Sequence, residues 1–314
     1  MTDARFESGA PAYAAYLQTV EGRLRLDIAW ENFLDLIDEA DAAQCEPGDT
    51  GDQTRPALGE TGDETRPAHG AAGDEARAAI AADARARVAG ARRALDLGGG
   101  TGALALRFAA LGWRAAVVDA SATMLAIAAD AARAAMLDAR LTFHQSAAER
   151  AHELFAPQTF DAAVCHNVLE YVSDPRAAAH ALSALVKPGG LVSLVARNRA
   201  GEAMRAAVKT HDLDEAEHAL TATQVNESLY GGPARLYDAA SLRELATAAG
   251  LHVVAERGVR VVADYLPASL SDTPEAYARL VSFERTLGAR PEFAAVARYT
   301  QIIARTGSAP AATA

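Results

Sequence analysis

Four glycines within five positions constrain this chain more than any other feature. They are Gly98, Gly99, Gly100 and Gly102, in the stretch ALDLGGGTGALALRFAALG, and they separate a strand-like apolar run from a run with helical spacing. Residues without a Cβ atom can adopt positive φ angles and let another molecule lie against the main chain. A strand, a glycine turn and a helix in this order predict a site for a nucleotide derivative.

Strand-like and helix-like segments alternate after the glycine turn. Apolar runs typical of buried strands cover residues 94–98, 115–119, 141–145, 160–166 and 191–197. Helical spacing fills the intervals, at residues 102–111, 121–136 and 174–186. Because parallel strands that are covered on both faces are apolar throughout, this pattern predicts a parallel α/β sheet with helices on both faces.

The last third of the chain has a different order. A helical pattern over residues 239–249 ends at Gly250, and the strand-like run LHVVAERGVRVVADYL follows over residues 251–266. Helical spacing near residues 274–288 then precedes a final strand at residues 297–305. Two closing strands joined through a helix indicate an antiparallel edge of the sheet.

The segment from residue 45 to residue 77 contains most of an 11-residue repeat, whose units start at Gly51, Gly62 and Gly73 and read GDQTRPALGET, GDETRPAHGAA and GDEARAAIAAD. Pro56 and Pro67 would break a helix of this period. Units with Gly, Pro and few apolar residues cannot offset the entropy of ordering, so we expect a disordered insertion. Before the insertion, apolar residues at helical spacing over residues 24–40 predict an amphipathic helix.

Composition argues against several classes of protein. The net charge of −11 disfavours nonspecific binding of nucleic acid. The chain has neither an apolar N-terminal segment nor a run of 18 apolar residues, so we expect a cytoplasmic protein without a membrane span. Cys45 and Cys165 form no disulfide or metal-binding pattern. The segment HDLDEAEH, residues 211–218, is interpreted as a solvated acidic stretch rather than a metal site, and we expect no metal.

The glycine turn taken alone leaves two classes of ligand open. The spacing Gly98-x-Gly100-x-x-Ala103 also fits the dinucleotide fingerprint of nicotinamide oxidoreductases. Asp119 follows Gly98 by 21 residues and fits both classes, because a carboxylate at the end of the second strand can accept hydrogen bonds from ribose hydroxyls.

Five motifs in order narrow this choice. The stretches LDLGGGTG, VVDAS, SAAE, FDAAVCHNVLEYVSDP and LVKPGGLVSLVARN resemble the successive motifs of class I S-adenosylmethionine-dependent methyltransferases, and the likeness covers about residues 90–306. The resemblance implies a Rossmann-like fold: a mainly parallel seven-stranded sheet with an antiparallel last strand and helices on both faces. It also implies S-adenosyl-L-methionine as the cofactor, and it disfavours an oxidoreductase.

The same resemblance implies a set of cofactor-binding residues. Gly98 and Gly100 would lie against the methionine part of the cofactor, Asp96 would hold the supporting acidic position, and Asp119 would accept the ribose hydroxyls. The other residues implied to bind the cofactor are Arg25, Gly102, Ser121, Met124, Ala148, Glu149 and His166.

Segments outside the common motifs narrow the family further. EGRLRLDIAWENF (Glu21 to Phe33), CHNVLEYVSDP, GVRVVADYL and ARYTQIIAR are similar to the bacterial tRNA 5-carboxymethoxyuridine methyltransferase family. That likeness implies a carboxylate acceptor on the tRNA wobble base, which is ionised near neutral pH and needs no general base. Arginine forks match carboxylates, so Arg260, Arg298 and Tyr265 are candidates to orient the acceptor. Arg197 and Arg199 are secondary candidates.

The expected organisation is one catalytic domain with additions. Its segments are an N-terminal helical cover (1–44), the disordered insertion (45–77), a cofactor-binding core (78–200), an acceptor cap (201–237), the C-terminal part of the core (238–306) and a disordered tail (307–314).

Three functions remain open at this point. The first is a tRNA carboxyl methyltransferase. The second is a small-molecule O- or carboxyl-methyltransferase, so the acceptor is either tRNA or a small acid or alcohol. The third is a protein that binds S-adenosylmethionine without transferring its methyl group.

Overall fold

A computed structural model describes residues 4–44, 92–227 and 229–307 of the chain. The expected disordered insertion at 45–77 lies outside the described residues, as does the tail from residue 308 onward. Within the described residues, none of the helices is both long enough and apolar enough to cross a membrane.

One twisted sheet organises the described part of the chain. It has seven strands there, in the order β3-β2-β1-β4-β5-β9-β8. The strands are β1 (Arg93–Leu97), β2 (Arg114–Asp119), β3 (Leu141–Gln145), β4 (Phe160–His166), β5 (Val186–Arg197), β8 (Leu251–Val259) and β9 (Tyr299–Thr306). Strands β6 (Gln224–Asn226) and β7 (Pro233–Arg235) form a separate antiparallel pair. This strand order, with β9 antiparallel to both of its neighbours, is the mainly parallel seven-stranded sheet that the resemblance implied.

The helices cover the sheet and its carboxyl edge. They are α1 (Ala4–Tyr16), α2 (Val20–Gln44), α3 (Ala103–Ala110), α4 (Ala122–Ala134), α5 (Pro175–Leu185), α6 (Arg199–Met204), α7 (Leu213–Thr221), α8 (Ala239–Ala248), α9 (Pro274–Gly288) and α10 (Pro291–Ala294). Local chemistry marks where two of them begin. Ser121 accepts a hydrogen bond from Met124 N at the start of α4, and Asp174 precedes Pro175 at the start of α5.

Different helices pack against the two faces of the sheet. Alternate residues of β1 divide between the faces, so Leu95 packs with α5 and α8 while Ala94 packs with α2, α3 and α4. On the second face, Phe108 of α3 makes edge-to-face contacts with Trp30 and Phe33 of α2. Burying a side chain such as Phe33 stabilises the fold by roughly 1.5–3 kcal/mol. This packing fixes α2, which carries Arg25, against the sheet.

The structure confirms the expected sheet and corrects two boundaries. The strand predicted over residues 251–266 ends at Val259, because Arg260 adopts a φ of 61° that a strand cannot continue. The final strand, predicted over residues 297–305, is β9 (Tyr299–Thr306), and it lies between β5 and β8, so the two closing strands form the expected antiparallel edge with β8 outermost. The helix predicted over residues 24–40 is α2, and α1 precedes it.

Candidate functional site

A large cavity opens at the carboxyl ends of the central strands, where an α/β sheet of this kind binds its ligands. Its volume is about 1000 Å³. Most of the residues that the sequence singles out lie in its wall: Arg25, Gly98, Gly100, Asp119, Met124, Ala148, Glu149, His166, Arg260 and Arg298. A void of about 20 Å³ shares Arg25 and Gly98 with the cavity and contains Asp96 in its wall.

The glycine turn takes a shape that side chains would block. Gly98 and Gly100 have φ angles of 68° and 52°, in the left-handed region that favours glycine. A Cβ atom on Gly98 would lie 2.3 Å from Val168 Cγ2. Gly102 also has a positive φ, but a Cβ there would meet Ala128 at 3.0 Å, so this glycine allows α3 and α4 to pack and does not line the cavity.

Asp119 is held at the end of β2 by backbone amides. Its Oδ2 accepts a hydrogen bond from Gly100 N at 2.9 Å, and its Oδ1 accepts one from Ser121 N at 2.8 Å. Burial raises the pKa of this carboxyl, and the amide hydrogen bonds oppose that rise. Ser121 is buried and caps α4, so its side chain supports the site without reaching the cavity.

Asp96 lies below the turn rather than in the main cavity. It is buried, and its Oδ2 accepts a hydrogen bond from Ala105 N of α3 at 3.1 Å. A Cβ on Gly99 would lie 2.6 Å from Asp96 Cγ, so Gly99 leaves the space that the carboxyl fills. Burial raises the pKa of Asp96 to about 7. This carboxyl braces the turn against α3.

Glu149 and Met124 line the outer part of the cavity with Ala148. The Oε1 atom of Glu149 accepts hydrogen bonds from Ser173 Oγ at 2.7 Å and Ser173 N at 2.9 Å. Burial opposes ionisation of Glu149, but these hydrogen bonds hold its pKa below the usual value. The carboxylate therefore joins the segment after β3 to the start of α5.

His166 is engaged in a buried chain of polar side chains. Its Nε2 lies 2.8 Å from Ser193 Oγ, which already accepts a hydrogen bond from Gln301 Nε2 at 3.0 Å. Gln301 in turn accepts one from Asn32 Nδ2 at 2.9 Å. Burial, and then Arg25, lower the pKa of His166 to about 3, so the ring is neutral.

Arg25 is a buried guanidinium held by neutral groups. It donates to Asn167 Oδ1 at 2.7 Å and to Tyr13 Oη at 2.9 Å, and its side chain is also close to the Tyr16 and Tyr299 rings. Among the residues that the structure describes, it forms no ion pair with a carboxylate. A buried cation of this kind has an unmet preference for an anion.

Three arginines from different parts of the chain surround one tyrosine. The guanidinium carbons of Arg25, Arg260 and Arg298 lie 5.8–5.9 Å from the centre of the Tyr299 ring. Arg260 pairs with Asp264, and its Nη1 also donates to Tyr16 Oη at 3.1 Å. The approach is close enough for cation–π attraction.

Glu202 connects Arg298 to Arg197. It is buried, and its Oε1 lies 2.6 Å from Arg298 Nη1 and 3.0 Å from Arg197 Nη1. Arg197 lines the cavity, whereas Arg199 pairs with Asp238 away from it. Tyr265 does not line the cavity either.

Helix α1 covers the cavity and is held by contacts near its N-terminal end. Glu7 accepts hydrogen bonds from Ala122 N and Thr123 N, at 2.9 Å and 3.1 Å, at the start of α4. Phe6 makes edge-to-face contacts with Tyr171 and Tyr230, with ring centres 5.3 Å and 4.9 Å apart. These rings, with those of Tyr13 and Tyr16, supply the aromatic wall that sequence patterns did not reveal.

No sequence pattern predicted the aromatic wall of the cavity, because its residues come from three distant segments with no common spacing. Gly9 is one indirect indication of this aromatic wall, since a Cβ atom at that position would lie 2.7 Å from Tyr230 Cδ1. Within the described residues, no group of three or more His, Cys, Asp or Glu is placed to hold a metal ion.

Comparison with known proteins identifies the family. A family model for a methyltransferase domain matches residues 72–256, which is more than half of the chain. The chain belongs to the methyltransferase-domain family. It is an S-adenosylmethionine-dependent methyltransferase, and the oxidoreductase alternative is excluded.

Several individual proteins are similar to this chain. The tRNA 5-carboxymethoxyuridine methyltransferase of Escherichia coli (strain K12) is 29% identical over 217 residues, which cover 68% of this chain and 79% of that protein. A ubiquinone biosynthesis O-methyltransferase from Burkholderia ambifaria is 36% identical over 117 residues, which cover 37% of this chain and 49% of that protein. The crystal structure of an S-adenosylmethionine-dependent methyltransferase from Mesorhizobium loti is 18% identical, covers 72% of this chain and 96% of that chain, and has a TM-score of 0.46.

Proposed function

We propose that this methyltransferase transfers the methyl group to a carboxylate, and that its acceptor is 5-carboxymethoxyuridine in tRNA. The observation that carries the proposal is the convergence of Arg260 and Arg298 on Tyr299, next to Arg25 on the cofactor side of the same cavity. Planar guanidinium forks match the geometry of carboxylates.

The cofactor would occupy the side of the cavity nearest the glycine turn. Gly98 and Gly100 leave room for its methionine part against the main chain, and Asp119 presents a carboxylate for its ribose hydroxyls. The buried Arg25, which pairs with no acid among the described residues, is suited to a carboxylate. Ala148, Glu149 and Met124 would border the adenosine part. When bound, S-adenosylmethionine supplies the electrophilic methyl group.

A carboxylate acceptor needs no general base from the site. His166 Nε2 lies 2.8 Å from Ser193 Oγ, and burial lowers the pKa of His166 to about 3, so its ring is neutral. A carboxylate has a reference pKa near 4 and is already ionised at neutral pH. The residues around the cavity would therefore orient the acceptor oxygen and exclude water, which lowers the barrier through positioning.

The relative from Escherichia coli supports tRNA as the carrier of this carboxylate. Its name gives tRNA 5-carboxymethoxyuridine as the substrate, and the match extends over 79% of its length. The acceptor cap between residues 201 and 237 contributes Arg205 and Lys209 to the cavity wall, and both can contact phosphates.

A small carboxylic acid is the second candidate acceptor. Helix α1 and the loop at Tyr230 cover the cavity, and Phe6 and Tyr171 give it an aromatic wall that would suit a small planar molecule. The relative named as an O-methyltransferase favours this candidate, although the match spans only about half of that protein.

Methyl transfer to defined acceptors tests the proposal. Purified protein would first be titrated calorimetrically with S-adenosylhomocysteine. Transfer of a labelled methyl group would then be measured to tRNA with 5-carboxymethoxyuridine, to the same tRNA without that modification, and to the free nucleoside. We expect transfer only to the modified tRNA. Transfer to the nucleoside at an equal kcat/KM would favour the small acid, and cofactor binding without either transfer would contradict the proposal.

A further inference from the structure

Asn167 is a polar residue of the cavity wall to which the proposed reaction gives no role. It follows β4 directly and lines both the cavity and the small void beside it. Its φ of 56° lies in the left-handed region, and its N–H donates to Val195 O of β5 at 2.8 Å. Glycine adopts this conformation more easily than asparagine, so the turn by itself does not explain the amide side chain.

The two ends of the Asn167 amide contact two different buried side chains. Its Oδ1 accepts a hydrogen bond from Arg25 Nη1 at 2.7 Å, and its Nδ2 donates to Glu170 Oε1 at 3.0 Å. Arg25 and Glu170 are only 6% and 3% exposed. The same Glu170 oxygen accepts a hydrogen bond from Arg197 N at 2.8 Å, which fixes this carboxyl against β5.

Glu170 determines which end of the amide faces Arg25. Its Oε1 already accepts from a backbone N–H, so the group of Asn167 that bonds to it must be the NH2 donor. The carbonyl oxygen of the amide is then turned toward Arg25, whose guanidinium has donors only. The reverse orientation would set N–H groups against a cation and deprive the Glu170 oxygen of its second donor.

Arg25 is thus held by groups that leave its charge intact. Its hydrogen-bond acceptors are Asn167 Oδ1 and Tyr13 Oη, and it forms no ion pair with the acids that the structure describes. An internal carboxylate would hold the guanidinium equally well, but it would cancel the charge that attracts an anionic ligand. A neutral amide fixes the side chain and keeps its charge for a bound carboxylate.

We propose that Asn167 is a positioning residue for the cofactor: oriented by Glu170, its amide holds Arg25 in place for the carboxylate of S-adenosylmethionine without neutralising it. The inference rests on the proposed function, which assigns Arg25 to that carboxylate. It predicts that Asn167 affects recognition of the carboxylate and leaves binding of the rest of the cofactor unchanged.

The ratio of two dissociation constants isolates this contribution. One ligand is S-adenosylhomocysteine, and the other is decarboxylated S-adenosylhomocysteine, which lacks only the carboxylate. Both are titrated calorimetrically into the purified protein. Because a hydrogen-bonded pair of charged groups is lost with the carboxylate, we expect the wild type to bind the decarboxylated ligand at least about tenfold more weakly.

Two substitutions of Asn167 test its role. Asn167→Gly keeps the left-handed turn but has no amide, and Asn167→Asp offers Arg25 an internal anion. In both variants we expect the ratio to fall to about threefold or less, while the dissociation constant of the decarboxylated ligand stays within about threefold of the wild type. Gln158→Asp is the matched control, because Gln158 has a φ of 55° and lies outside the cavity wall, and it should keep the wild-type ratio.

Substitutions of Glu170 test the orientation step. Glu170→Gln retains an oxygen that can accept from Asn167 Nδ2, so it should keep the wild-type ratio. Glu170→Leu removes this acceptor and should lower the ratio. Urea unfolding establishes whether the leucine variant folds, and the Asn167 variants decide the proposal if it does not.

Arg25→Met separates failure of this inference from failure of the cofactor site. A wild-type ratio in both Asn167 variants, with a lowered ratio in Arg25→Met, would overturn the role of Asn167 and leave the cofactor site intact. Equal weakening of both ligands in Asn167→Gly would show a structural role only and would also overturn it. A wild-type ratio in Arg25→Met would overturn this inference together with the assignment of Arg25, whereas the acceptor is decided separately by the methyl-transfer assay.

Discussion

The Oδ2 atom of Asp119 accepts a hydrogen bond from the backbone amide of Gly100 at 2.9 Å. This contact joins the end of β2 to the glycine turn after β1, so one carboxylate is fixed by the same backbone that leaves space for a ligand. The second oxygen is fixed by Ser121 N at the start of α4. Two strand ends and two helix starts therefore converge on a single side chain.

Replacing Asp119 should weaken cofactor binding more than it destabilises the fold. A carboxylate that accepts from ribose hydroxyls contributes roughly 1.5–3 kcal/mol per hydrogen bond. We expect Asp119→Ala to raise the dissociation constant of S-adenosylhomocysteine by about 100-fold, measured by calorimetry. Asp130→Ala removes an exposed carboxylate from α4 and should leave that constant unchanged. If Asp119→Ala bound S-adenosylhomocysteine as tightly as the wild type, Asp119 would not be the residue that binds the ribose hydroxyls.

Two glycine substitutions separate backbone strain from lost space. Gly98 and Gly189 have similar φ angles of 68° and 76°, so an alanine at either position carries a similar backbone penalty. Only at Gly98 would the new Cβ collide with a neighbour, Val168, because nothing lies within 4 Å at Gly189. Gly98→Ala should therefore lower the urea midpoint further than Gly189→Ala and abolish cofactor binding. Equal losses in the two variants would show that the turn can absorb a side chain.

Arg260 should act on the acceptor and not on the cofactor. Its guanidinium lies beside Tyr299 and pairs with Asp264. We expect Arg260→Ala to raise the KM for the acceptor more than tenfold while the dissociation constant of S-adenosylhomocysteine changes less than threefold. Arg243→Ala, which breaks an exposed ion pair with Glu256, should change neither quantity.

The loss of Arg260 also leaves the buried Asp264 with only Arg298, whose Nε lies 4.0 Å away, so the unfolding free energy of the variant must be measured in parallel. Arg260→Lys keeps the charge but loses the planar fork, and we expect it to recover stability more than acceptor binding. Equal losses of cofactor and acceptor binding in a folded variant would contradict the proposal that Arg260 acts on the acceptor alone.

His166 should make the fold sensitive to mild acid. Its pKa of about 3 in the folded protein lies below the usual value of 6.5, so the unfolded chain binds the extra proton first. Stability from this group is fully present above pH 6.5 and is lost as the pH falls toward 3. The loss between pH 7 and pH 5 should be about 1–2 kcal/mol. Urea unfolding at both pH values should show a smaller loss in His166→Gln, and an identical loss would contradict the assignment.

The sequence was most informative where a local rule applied. The glycine spacing, the apolar runs and the helix starts predicted β1 to β5, and the motif order predicted a methyltransferase. The boundary after β8 was missed because an unbroken apolar run gives no sign of the positive φ at Arg260. Tyr265 was a reasonable candidate from the same run, but the turn at Arg260 directs the chain so that Tyr265 lies outside the cavity wall.

The acceptor side depended on contacts between distant segments. Arg25 and Tyr299 are 274 positions apart along the chain, yet the guanidinium lies 5.9 Å from the ring centre. No period or short motif joins them. Their proximity follows from α2 packing against the sheet and from β9 inserting between β5 and β8.

From the sequence alone came the parallel α/β sheet and the glycine turn, because these depend on hydrophobic spacing and on backbone freedom within a few residues. The cofactor was implied by the resemblance of five motifs to those of class I methyltransferases. Only the tertiary structure decided which arginines share a cavity, that His166 lies within hydrogen-bond distance of Ser193, and that arginines surround Tyr299. These relationships depend on distances between side chains brought together by packing, and electrostatic interactions are set by those distances and by burial, not by position along the chain.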